Sequence, residues 1–155
     1  MLKLDSIFTK AIEEIFNETG IKIYNIKDCK LPVSKDERVI TSIGITGKIK
    51  GSFMLITDKK TAKAISAKML DNMQLNIVTS NFGPLNQAAL GEITNQISGR
   101  AMTILSEKNI NCDITPPTMV IGNNIKIITT DNENYKSRYI KSNLGVLHFV
   151  IGLKN

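Results

Sequence analysis

Leu4, Phe8, Ala11, Ile12 and Ile15 recur at intervals of three and four residues, the repeat that gathers apolar side chains on one helix face. The spacing predicts an opening helix over residues 4–18, with Gly20 as its stop. The period then changes. "IKIYNI" alternates, "RVITSIGITGKI" is rich in β-branched residues, and "GSFMLIT" follows after a short glycine-flanked interval, so three strands are predicted with a hairpin between the last two. "KKTAKAISAKML" returns to helical spacing, with Ala62, Ala64, Ile65 and Met69 on its predicted buried side and Thr57 or Asp58 as its cap.

A polar stretch near "NMQLNIVTSN" separates this from a third and longest helix. Gly83-Pro84 opens it, proline being tolerated in a first turn, and the pattern runs to about Lys108. At 100° per residue, Ile93, Ile97, Ala101 and Ile104 form its predicted buried stripe. Beyond Pro116-Pro117, "TMVIGNNIKIIT" reads as two strands about a Gly-Asn-Asn turn, and "YKSRYIKSNLGVLHFVIGL" as a final pair turning near Asn143-Leu144-Gly145. With no linker visible, residues 1–155 read as one α+β domain. "EIFN" in the first helix and "EITN" in the third are each followed by a Cys, a Pro and a Gly-started apolar strand. That shared order predicts two similar halves.

Composition bounds the function. A chain of 155 residues with 42% hydrophobic and 22% charged residues suits a soluble domain that needs neither metal nor disulfide to fold. No apolar run approaches the ~20 residues of a membrane span, and "MLKLDSIFTKAIEEIF" lacks the apolar core of a secretory signal. A cytoplasmic location without membrane attachment is the expectation. Cys29 and Cys112 fit no paired zinc or redox spacing, so free thiols are expected and no metal site is assigned. Twenty basic against fourteen acidic residues favour an anionic partner. The lysines are thinly spread, and no run of interleaved Arg and aromatics marks a nucleic-acid groove. His148, in an apolar strand without a flanking nucleophile motif, reads as structural, and "GITGKIKG" as a hairpin rather than a phosphate loop.

The chemistry-bearing stretch is "LGEITNQISGRA", residues 90–101. Glu92 and Asn95 share a sector of the helix with Ala88 and Gly99, well away from the buried stripe, and Gly91 and Ser98 border it. Each interior glycine costs a helix about 1 kcal/mol relative to alanine. Such a face is either cleared for a neighbouring element of the same protein or open to a partner that must come within hydrogen-bond reach of Glu92 and Asn95. The related pair Glu14 and Asn17 lies on a face crowded by Lys3, Lys10, Glu13 and Glu18, a setting for a structural or vestigial site.

A Glu-x-x-Asn pair on a long helix, followed after about twenty residues by Pro, in a small α+β chain of two similar halves, resembles the CheC, CheX and FliY family of chemotaxis phosphatases. "GEITNQISGRA", with "TGKIKGSFMLI" and "AKAISAKML", looks most like the CheX members. The resemblance implies an antiparallel-rich sheet packed with the motif-bearing long helix. It implies hydrolysis of the aspartyl phosphate of a CheY-type response regulator, with the family's catalytic acid at Glu92 and catalytic amide at Asn95. Asn95 would orient a water and Glu92 would pair with the regulator's lysine. Ala88, Gly91, Ser98 and Gly99 would form the approach surface. Also implied are a homodimer and no cofactor in this chain, the Mg²⁺ belonging to the partner receiver. The chain departs from the family pattern at Ala88, where Asp or Ser is common, and its Pro comes a residue or two early. Those departures suit an alternative, a non-catalytic adaptor of the same fold that binds a receiver or a flagellar-switch component. Salt-dependent nucleic-acid binding is the remaining rival.

Overall fold

Gly20 adopts φ +86° and its amide bonds back to the carbonyls of Phe16 and Asn17, so the first helix ends where a side chain would be strained. In the computed structural model, which describes residues 3–31, 35–74, 81–128 and 133–154, α1 spans Leu4–Thr19 and is followed by β1 (Ile23–Cys29), β2 (Arg38–Gly47) and β3 (Gly51–Asp58). Asp58 caps α2 (Lys59–Asn72), accepting from the Thr61 amide at 2.7 Å. The long helix α3 (Pro84–Glu107) leads to β4 (Cys112–Ile114), β5 (Thr118–Gly122), β6 (Glu133–Ser142) and β7 (Gly145–Lys154). Gly145, at φ +137°, makes the turn between the last two possible.

The strands form one antiparallel sheet in the order β1-β6-β7-β3-β2-β4, with β5 pairing the same edge of β2 as β4. Exchanging the halves, β1 for β5, β2 for β6 and β3 for β7, reproduces that order. The expected duplication is thus written into the sheet, with β3 and β7 paired at its centre and α2 joining the halves. On one face, Phe53, Leu55, Phe149 and Ile151 meet Phe8, Ile12, Ile93 and Ile97 of α1 and α3, all at most 2% exposed. Phe8 stacks on Phe53 with ring centroids 4.7 Å apart, and burying each such ring is worth about 2–3 kcal/mol. The other face carries a smaller cluster of Ile40, Ile56 and Val150.

Several expectations need correction. Residues 125–128, expected to begin a second strand after the Gly-Asn-Asn turn, form none; Ile125 and Ile127 instead lie over Ile40, Ile56 and Val150 on the sheet's outer face. The rest of that expected strand, and residues 75–80 of the polar stretch, fall outside the described residues. β4 was not anticipated. In α2, Ala64 is only half-buried, while Ser66 and Leu70 join Ala62, Ile65 and Met69 inside, because residue 64 points about 200° away from residue 62. In α3, Leu105 rather than half-buried Ile104 extends the stripe of Ile93, Ile97 and Ala101.

Candidate active site on the long helix

Directly beneath the motif, α3 is fastened to the sheet. The Thr94 hydroxyl donates to the Leu90 carbonyl at 2.8 Å, leaving its oxygen to accept from the Thr41 hydroxyl of β2 at 2.9 Å. Both threonines are buried, so the pair is shielded from competing water. This anchor fixes the rotation of the helix and sends the next residue, Asn95, to the flank of the groove between α3 and the sheet edge. That groove encloses about 300 Å³ and is walled by Thr41, Gln87, Gly91, Pro117, Thr118 and Met119, with Glu92 and Asn95 at its rim.

Glu92 is exposed and Asn95 half-exposed. Among the described residues no cation pairs with Glu92, whose carboxylate receives only a long 3.5 Å contact from the Gln96 amide. The Asn95 amide bonds to no other described residue. The site therefore presents an uncommitted carboxylate and an uncommitted amide one helical turn apart. Chemically it can attract a cation with one and use the other as donor and acceptor together.

The approach surface differs from expectation at one position. Ser98 is fully buried and its hydroxyl donates to the Thr94 carbonyl at 3.0 Å. Four residues from Thr94, it shares the anchored face rather than the open one. Ala88 is exposed, as expected. A side chain at Gly99 would meet nothing within 4 Å, whereas one at Gly91 would touch Pro117 at an ordinary 3.7 Å. Gly99 therefore clears the surface, and Gly91 partly accommodates the segment before β5.

Glu14 and Asn17 occupy the corresponding place on α1. Asn17 is exposed on the rim of a wide groove of about 680 Å³ shared with Glu13, Lys22 and Tyr24. Glu14, however, is engaged. Arg100 of α3 donates to it at 2.8 Å and grips both oxygens of Glu18 at 2.8 and 3.0 Å. The bonds to Glu14 and then Glu18 push the guanidinium above its already high pKa. Arg138 is likewise committed, to Asp5 at 2.7 Å, Asp28 at 3.1 Å and the Thr9 hydroxyl. Cys29 and Cys112 are free and half-buried, and no cluster of three or more His, Cys, Asp or Glu occurs among the described residues. No helix is long and apolar enough to cross a membrane among them. His148 lies edge-on to Tyr139, centroids 5.6 Å apart, on the sheet face opposite α3.

Thr41, Gln87, Pro117, Thr118 and Met119 were not identifiable from sequence. Gln87 stands just over one turn before Glu92 on α3 itself, whereas Thr41 and the segment from Pro117 to Met119 are brought to the helix by the pairing of β2 with β5.

The fold is shared with known proteins. The sequence pattern of the family described as chemotaxis phosphatase CheX matches residues 39–140. The CheY-P phosphatase CheX of Thermotoga maritima is 35% identical over 89 residues, which are 57% of this chain and 55% of that protein. The chain thus spans about half the length of that curated relative. A chemotaxis protein CheX from Desulfovibrio desulfuricans superposes with a TM-score of 0.81 at 25% identity, covering 99% of this chain and all of the other. A Borrelia burgdorferi CheX, solved in complex with CheY, BeF3 and Mg²⁺, superposes with a TM-score of 0.74 at 20% identity over the full length of both chains.

Proposed function

The chain belongs to the CheX family of chemotaxis phosphatases, and from that membership we propose that it hydrolyses the aspartyl phosphate of a CheY-type response regulator. The observation that carries the reading is the pair of uncommitted side chains, Glu92 and Asn95, on the open flank of a helix fastened from below by Thr41 and Thr94. An acyl phosphate is intrinsically reactive, and the receiver supplies its own Mg²⁺ and lysine, so the phosphatase needs chiefly to place a water in line with the phosphorus. The Asn95 carbonyl oxygen accepts one hydrogen of that water while its N–H donates to a phosphoryl oxygen. Attack forms the new P–O bond, the bond to the receiver's aspartate breaks, and inorganic phosphate leaves. A neutral amide brings no repulsion against the phosphoryl charge.

Glu92 serves in docking. Phosphoryl transfer through a loose transition state gains little from early deprotonation of the water, whereas a carboxylate paired with the receiver's lysine seats the helix and holds Asn95 at the phosphorus. Truncating one partner of a charge pair sealed at such an interface costs about 2–5 kcal/mol, much of it the penalty of leaving the other charge buried and unpaired. A homodimer formed through the sheets belongs to the same proposal, as does a cytoplasmic location. The alternative of a non-catalytic adaptor has the departures at Ala88 and in the spacing of the Pro in its favour. The deciding experiment mixes the purified chain with a phosphorylated receiver from the same organism. Phosphate release well above the receiver's own rate, lost in Asn95→Ala, supports the enzyme; complex formation without release supports the adaptor.

A further inference from the structure

Glu92 and Ala88 stand on a ridge between two grooves of different chemistry. On one side lies the threonine-lined groove that Asn95 borders. On the other is a groove of about 330 Å³ floored by Met69, Leu70 and Ala89, which are at most 5% exposed, and rimmed by Met73 and Leu85, which are 54% and 36% exposed. These five side chains are all apolar. They come from the end of α2 and the start of α3, whereas Glu92 closes the groove toward the site.

Resting on the phosphatase reading above, we infer that this apolar groove is the affinity-determining contact of the phosphatase, seating an apolar side chain that the receiver carries beside its active-site lysine. The argument begins with Glu92. Its carboxylate is exposed, and an ion pair left in water is screened and contributes little; it becomes a useful docking bond only when the partner's surface excludes solvent around it. Exclusion cannot come from the threonine-lined side, because that groove must keep the attacking water and admit the phosphoryl group. It comes from the other side, where the same carboxylate forms the rim of an apolar groove. A receiver whose lysine reaches Glu92 has to cover Ala88 and the adjoining groove. Methionines at 69 and 73 suit such a contact, since their flexible thioethers adapt to the shape of an incoming side chain.

The test measures dephosphorylation across receiver concentrations for wild type, Met73→Gln/Leu85→Gln and Met73→Leu. Both altered residues are exposed and outside the motif, and thermal melting verifies that each variant folds. The expected result for the double glutamine variant is a KM raised about tenfold or more with kcat retained at saturation, while Met73→Leu, which keeps the groove apolar, raises KM far less. Titration of a beryllofluoride-loaded receiver should show the same loss of affinity, which keeps the test informative if turnover is slow. A folded double variant with unchanged KM and affinity overturns the groove assignment while leaving the phosphatase reading intact. Wild-type protein that neither releases phosphate nor binds the loaded receiver overturns both.

Discussion

Arg100 reaches across from α3 to hold Glu14 of α1 at 2.8 Å, so one half of the duplicated chain occupies the acidic residue of the other half's motif. Glu92 has no such partner among the described residues, which makes the two Glu-x-x-Asn pairs chemically unequal. Glu14→Ala/Asn17→Ala should therefore leave receiver dephosphorylation within about twofold of wild type, while the melting temperature falls through loss of the helix-to-helix contact. Phosphate-release assays beside thermal melts check this, and a tenfold loss of rate in a folded double variant would assign catalytic work to α1.

Asn95 is the residue on which turnover should depend most. Asn95→Ala is expected to slow hydrolysis by about 10²-fold or more with affinity for the loaded receiver nearly unchanged, because positioning is lost and docking is kept. Asn95→Asp should be no better, since its carboxylate would face phosphoryl oxygens of like charge. Glu92→Ala should instead raise KM as well as lower the rate. If Asn95→Asp were as active as wild type, the water-orienting amide would be the wrong mechanism.

The site's helix was legible because α3 has 24 residues of sustained period behind a Gly-Pro start, and the repeated motif pointed to halves that the sheet order bears out. The opposite wall of the groove was not. Pro117, Thr118 and Met119 stand there because β5 pairs with β2, and short-range pattern carries no record of that pairing. β4 has three residues, too few for a period to register. Ile125 and Ile127 alternate like a strand, yet their apolar side chains are satisfied by covering the sheet; alternation reports a buried face and not a hydrogen-bonded ladder. Ser98 was misplaced for a related reason: a small polar residue whose hydroxyl bonds a carbonyl of its own helix can be buried with its donor satisfied.

Gly99 separates stability from access. Its would-be Cβ meets open space, so Gly99→Ala should stabilise the fold by about 0.5–1 kcal/mol through helix propensity alone, read as a higher urea midpoint with unchanged slope. Gly99→Lys should also fold, but its long side chain would rise one turn beyond Asn95 and obstruct the receiver, lowering kcat/KM. A fully active, folded Gly99→Lys would show that the bare surface there is incidental.

His148 gives the fold a pH dependence of predictable sign. Burial, with a smaller contribution from the charge of Arg38, holds its imidazole pKa below the ordinary value of about 6.5. Tyr139 covers it edge-on, and Ile56 is its cross-strand neighbour; neither supplies a negative charge to favour protonation. Below about pH 6.5 the unfolded chain takes up the proton before the folded chain does, so stability falls as pH drops through that window, until the folded pKa is passed. His148→Gln, which cannot titrate, should flatten this part of the profile. Urea midpoints measured for both proteins from about pH 8 to about pH 5 decide it. Parallel profiles would mean that carboxylates, and not His148, set the acid sensitivity.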